Sequence, residues 1–254
     1  MISIEELKRI AKIKGIYGLG NVEKDYLIEL ILFSISKNTK DELVFKGGTC
    51  LSKFYKLERF SEDIDFTLMK DLDINLLIKR IVLDLGAFGI EAEVKKNKKV
   101  FDSTMITLRT KGPLYNGLAN SLSNVRIDIN VKSSISLHPI NKDLNSLYSE
   151  LPRFSLDVMQ EEEILAEKTR AVINRVKARD VYDIWFILQQ GININLKVVE
   201  EKLEYYKQRW NLEKFREKIE EKNKIWHTEM KSLVKIVPDF KKVRDDIIGD
   251  FEKA

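Results

Sequence analysis

Apolar and polar positions change their period along the chain, and the changes outline its elements. Ser3 and Glu6 have the spacing of a capping box, opening a first helix that Gly15, Gly18 and Gly20 bring to an end. From Asn21 onward, Leu27, Leu30, Ile31 and Ser34 recur at helical spacing. The apolar run Leu43-Val44-Phe45 stops at Gly47-Gly48, and Leu51, Phe54 and Tyr55 then mark a short amphipathic helix. Ile64-Asp65-Phe66-Thr67-Leu68 alternates and is β-branched or aromatic enough for a strand. Residues 74–85 read as a helix, and 90–94 and 104–108 as strands.

The cleanest alternation lies in residues 125–132. Val125, Ile127, Ile129 and Val131 fall on one face, and Arg126, Asp128, Asn130 and Lys132 on the other. One face is therefore core and the other faces a cleft. Beyond Asp157 helical periodicity takes over, interrupted near Gly191, Asn211 and Pro238. The expected architecture is α+β. A mixed β-sheet flanked by helices fills an N-terminal domain, 1–157, and a helical domain follows, 158–254.

Composition narrows the function classes. The hydrophobic fraction is 44%, that of a folded globular chain. No apolar run approaches the roughly 20 residues that span a bilayer. The N-terminus lacks the basic and apolar regions of a secretory signal. Cys50 is the only cysteine, which excludes an internal disulfide and fits a reducing compartment, so the cytoplasm is the expected location. The net charge of +4 is the small remainder of two large interspersed sets, unlike a dedicated nucleic-acid binder.

Chemistry concentrates between Phe45 and Phe66. Gly47 and Gly48, between a strand and a helix, let the backbone approach a ligand, and the free N–H groups of the helix start suit phosphate oxygens. Asp63 and Asp65 stand two apart in a strand and so project together. Paired carboxylates suit magnesium, which takes oxygen ligands and is often completed by substrate phosphates. Asp128, on the polar face of its own strand, is the candidate third ligand of a two-metal site. Farther on, Lys168 and Arg170 can neutralise phosphate charge, while Asp180 and Asp183 occupy the first turns of a helix. That acidic pair has an alternative reading as a helix cap bridged to Arg175 or Arg179.

The order strand, Gly-Gly, helix, Asp-x-Asp strand, later Asp strand resembles the nucleotidyltransferase fold of DNA polymerase beta-like enzymes. More narrowly, Gly47-Gly48-Thr49-x-Leu51-x-Lys53 with Arg59-x-Ser61-x-Asp63-Ile64-Asp65 is similar to the AbiEii/AbiGii toxin family of type IV toxin–antitoxin and abortive-infection systems. The stretch Glu163 to Ala171, then Arg175 and Arg179-Asp180-Val181-Tyr182-Asp183-Ile184-Trp185, is similar to that family's downstream signature. Thr49 stands where AbiEii itself has serine.

The resemblance implies transfer of a nucleotide from a nucleoside triphosphate to an acceptor, with two magnesium ions on Asp63, Asp65 and Asp128. In that scheme Gly47, Gly48 and Thr49 hold phosphates, Lys168 neutralises the leaving pyrophosphate and Asp183 positions it or the acceptor. Lys53, Arg59, Ser61, Arg170 and Asp180 complete the substrate-binding set. RNA, especially a tRNA end, is the plausible acceptor, and a separately encoded antitoxin is the implied partner. Transfer to a small molecule such as an antibiotic, a non-catalytic nucleotide-binding module, and a glycosyltransferase that uses Asp-x-Asp are the alternatives.

Overall fold

Ser3 caps α1 (Ile4–Lys14) by accepting from the Glu6 N–H at 3.1 Å, and Gly15 ends it in the left-handed region at φ 63°. Helix α2 (Leu19–Asn38) begins two residues before Asn21, entered through Gly18 at φ 82°, so Gly20 lies inside it rather than ending α1. It is buried on all sides, so its acids need partners. Lys14 and Lys53 both reach Asp25 and Glu29 at 2.5 to 2.7 Å, and the Tyr148 hydroxyl donates to Asp25 at 2.8 Å. Glu23 accepts from the Leu114 N–H at 2.7 Å.

The computed structural model describes every residue except Ser133. The chain divides into two compact units, and the division is not a single cut near 157. The first comprises Met1–Phe54, Phe60–Ser134 and Pro139–Val158; the second comprises Tyr55–Arg59, Ile135–His138 and Met159–Ala254.

In the first unit, β1 (Leu43–Lys46) runs directly into α3 (Gly47–Phe54). There follow β2 (Asp63–Leu68), α4 (Ile74–Ala87), β3 (Glu91–Val100), β4 (Ser103–Lys111), β5 (Ser123–Asn130), β6 (Ile140–Leu144) and β7 (Phe154–Val158). They form one sheet in the order β3-β4-β5-β2-β1-β7-β6, with β2/β5 and β1/β7 parallel and the other pairs antiparallel. Helices α2 and α4 pack against it. Ile64, Phe66, Ile106, Leu108, Val125, Ile127 and Ile129 are buried, so the alternation read in β2 and β5 is a core face. The segment 95–99, almost all lysine, has little strand propensity, yet pairing with β4 extends β3 to Val100. Strand β6 carries no alternation that predicts it; β7 does alternate, with Phe154, Leu156 and Val158 buried, and antiparallel pairing with β6 and the parallel contact of Phe45 with Val158 place it.

The second unit is helical: α5 (Glu161–Asn174), α6 (Ala178–Gln189), α7 (Leu196–Glu204), α8 (Leu212–Glu220), α9 (Asn223–Met230) and α10 (Phe240–Phe251). Helix α5 packs against α6, α7 and α8. Two short pieces from earlier in the chain are stitched to this unit by specific bonds. The Tyr55 hydroxyl donates to the Met159 carbonyl at 2.9 Å, and the N–H groups of Ser136 and Leu137 donate to buried Glu163 at 2.8 and 2.9 Å.

Candidate active site

The parallel register of β2 and β5 sets Asp63 opposite Arg126 and Asp65 opposite Asp128. Register partners point to the same face of a sheet, and residues two apart in a strand do too. Asp63, Asp65 and Asp128 therefore share one face, the one opposite the buried isoleucines. Each row continues outward. Asp128 lies opposite Met105 of β4, which lies opposite Lys98 of β3; Arg126 lies opposite Thr107, which lies opposite Lys96. On the other side Asp65 faces Lys46 of β1. Arg126 bonds the Asp63 carboxylate at 2.9 Å.

The glycine turn touches this row. Gly47 has φ 77°, and a β-carbon built there would lie 2.6 Å from Asp65 Oδ2. Only glycine lets the start of α3 sit so close to that carboxylate. Gly48 and Thr49 are buried. The Thr49 hydroxyl bonds the Asp63 carbonyl and, at 2.9 Å, the Ser61 hydroxyl. Thr49 and Ser61, expected to hold phosphate, thus tie the turn to the start of β2. Lys53, expected at the substrate, has its ammonium enclosed by Asp25 and Glu29.

The remaining expected residues form a network inside the second unit. Arg59 grips Asp183 with two bonds of 2.6 and 2.7 Å. Lys168 lies 2.9 Å from Asp180 and 2.7 Å from Asp183, and Arg175 makes bonds of 2.7 and 2.8 Å to Asp180. Both carboxylates and Lys168 are buried. Burial alone would push the two acids up; the cations beside them outweigh it and hold both below the usual carboxylate range. The bridge from Asp180 to Arg175 read from sequence is present. Arg170 lies over the ring of Tyr206, 4.4 Å from its centroid.

The polar face of β5 does border a cleft, of about 470 Å³, lined by Lys24, Asp63, Lys96, Lys98, Met105 and Arg126 among others. Arg126 was visible as the polar residue two before Asp128. Nothing local marked Lys96 and Lys98, whose place beside Asp63 depends on strand order.

The donor set suits a hard divalent ion: three carboxylates on one face, with Gly47 making room for that of Asp65. With Asp63 turned to Arg126, no three His, Cys, Asp or Glu side chains among the described residues gather into a closed metal cluster. The residues fit the ion by chemistry and placement.

The model of the AbiEii nucleotidyl transferase toxins of type IV toxin–antitoxin systems matches residues 30–248. The chain belongs to the AbiEii family. It is a nucleotidyltransferase of that toxin family, which implies a nucleoside triphosphate substrate, an antitoxin partner and general use of a divalent metal. Comparison with curated proteins yields no match. Among solved structures, MenT4, a nucleotidyltransferase toxin from Mycobacterium tuberculosis H37Rv, aligns with a TM-score of 0.65 over 96% of this chain and 88% of its own, at 17% identity. JHP933 from Helicobacter pylori aligns with a TM-score of 0.62 over 92% of this chain and 90% of its own, also at 17% identity. At that identity the two likenesses show the fold alone. No helix among the described residues is long and apolar enough to cross a membrane.

Proposed function

We propose that this AbiEii chain moves a nucleotide from a nucleoside triphosphate to a hydroxyl of RNA, tRNA ends foremost, using two magnesium ions held by Asp63, Asp65 and Asp128. The observation that carries the reading is the shared face of these three carboxylates, with Asp65 in register with Asp128 and against Gly47. Bound there, the ions would offset triphosphate charge and favour ionisation of the acceptor hydroxyl.

The protein's own groups supply position and electrostatics. The backbone N–H groups at the start of α3 meet phosphate oxygens, and Thr49 and Ser61 hold that turn at a fixed place along β2. Asp128 helps to hold the second ion or takes the acceptor's proton as the acceptor oxygen bonds the α-phosphorus; the bond from that phosphorus to the bridging oxygen breaks and pyrophosphate leaves. In the second unit, three cations (Arg59, Lys168 and Arg175) bond two carboxylates. This network is internal to the second unit, and the roles of Lys168, Asp183, Arg170 and Asp180 toward pyrophosphate rest on the family resemblance.

Incubation with each labelled triphosphate, magnesium and total RNA tests the reading. Label recovered in RNA with release of pyrophosphate supports it. Label found only in small acceptors moves the chain to the small-molecule class, and nucleotide bound without pyrophosphate release makes it a binding module.

A further inference from the structure

The hairpin of β3 and β4 leaves unexplained chemistry. Every position of β3 except Ala92 is exposed. Glu91 and Glu93 at its base are paired with Lys111 and Arg109. Past the register shift between Val94 and Lys96 the strand carries four lysines and no acid. Lys95 reaches the Asn124 side chain at 3.2 Å. Lys96 and Lys98 have no carboxylate partner among the described residues, and both line the cleft that contains Asp63 and Arg126. By register, each begins a row that leads to acids, Lys96 to Asp63 and Lys98 to Asp128 and Asp65.

At the tip stands Phe101, wholly exposed and with φ 50°. The left-handed region favours Gly or Asn, and nothing packs on this ring. Neither turn geometry nor burial accounts for an aromatic side chain there. A base-stacking surface beside a run of cations does account for it.

We infer that the β3–β4 hairpin is a nucleic-acid arm: Lys96 and Lys98 receive the phosphate backbone of the RNA acceptor, Phe101 stacks on an unpaired base, and the strand is led along the cleft toward Asp63. This rests on the proposal that the acceptor is RNA. A polyanion with exposed bases suits both halves of the arm, the cations through its phosphates and the ring through its bases.

The test compares wild type, the double variant Lys96→Glu/Lys98→Glu, and Phe101→Asn. Binding of fluorescein-labelled bulk tRNA is measured without triphosphate over a range of salt, and transfer of labelled nucleotide is measured separately. All three positions are exposed, and Asn suits the turn better than Phe, so the thermal midpoints should agree. The double variant is expected to lose at least about tenfold in tRNA affinity, and its log–log salt slope to fall by about two. Phe101→Asn is expected to lose about fivefold with its salt slope unchanged. Equal tRNA affinity in all three proteins overturns the inference. So does a double variant that binds tRNA normally but escapes its antitoxin, which makes the hairpin a protein-docking element. If wild type labels no RNA, yet the lysine variant still loses tRNA binding, the arm stands and the acceptor assignment falls.

Discussion

Asp65 and Asp128 face each other across the parallel pair β2/β5, so two carboxylates from distant parts of the chain are one strand spacing apart on the same face. Like charges directly opposite in a sheet oppose folding. Asp63, two residues along β2, adds to this and is partly offset by Arg126. Lys46 stands opposite Asp65 on the other side, and the row fits the divalent cation proposed for it.

Asp128→Asn keeps the size and hydrogen bonding of the side chain while removing its charge. The midpoint of thermal unfolding should hold or rise slightly. Nucleotide transfer should fall by about two orders of magnitude or more, roughly 3 kcal/mol in the barrier. Paired melting and transfer assays check this; normal transfer would leave β2 as the sole source of acidic ligands.

Gly47→Ala tests the contact between turn and carboxylate. The new methyl would lie 2.6 Å from Asp65 Oδ2, and the residue would have to keep a positive φ. A loss of about 1–3 kcal/mol in stability is expected. The fall in transfer should exceed it in effect, measured under conditions where the variant is fully folded. Triphosphate affinity, read by equilibrium binding, should weaken as well.

Much of this arrangement was legible in the sequence because it is local. Alternation in 125–130 fixed which side of β5 is core, and the spacing of Asp63 and Asp65 fixed their common face. Capping of α1 by Ser3 likewise needs only a few neighbouring residues. What was not legible depends on distant contacts. Lys53 lies beside the glycine motif in sequence, yet its ammonium goes to Asp25 and Glu29 of α2. Tyr55–Arg59 belong to the helical unit because Arg59 meets Asp183, a pairing no periodicity announces. The short strand β6, with no alternation of its own, depends on β7 for the same reason.

Lys53→Met should destabilise the first unit by roughly 3 kcal/mol or more, because it leaves Asp25 and Glu29 with Lys14 alone. Burial pushes Asp25 up, but Lys53 and Lys14 overcome it and hold the acid at about 2, below its ordinary value of 3.8. A depressed folded value means the contribution is present above pH 3.8 and is lost as pH falls toward about 2. Denaturant unfolding across that window should show the decline in wild type and a smaller one in the variant.

Lys168→Met removes a buried cation between Asp180 and Asp183. Stability should fall by about 3 kcal/mol or more, since two acids then share the site with Arg59 and Arg175 only. Lys168→Arg, which keeps the charge, should recover much of that stability. If it also recovers transfer, the residue's contribution is positional; if transfer stays low in a folded protein, Lys168 acts on the substrate.

The central claim is that Asp63, Asp65 and Asp128 form the transfer site, and Asp65→Asn tests it most directly. Purified wild type and variant are given labelled triphosphate, magnesium and total RNA, with label incorporation and pyrophosphate followed together. Wild type should release one pyrophosphate for each nucleotide incorporated. The variant, with an unchanged thermal midpoint, should be slower by about a thousandfold, close to 4 kcal/mol in the barrier. Transfer by Asp65→Asn at the wild-type rate would contradict the account.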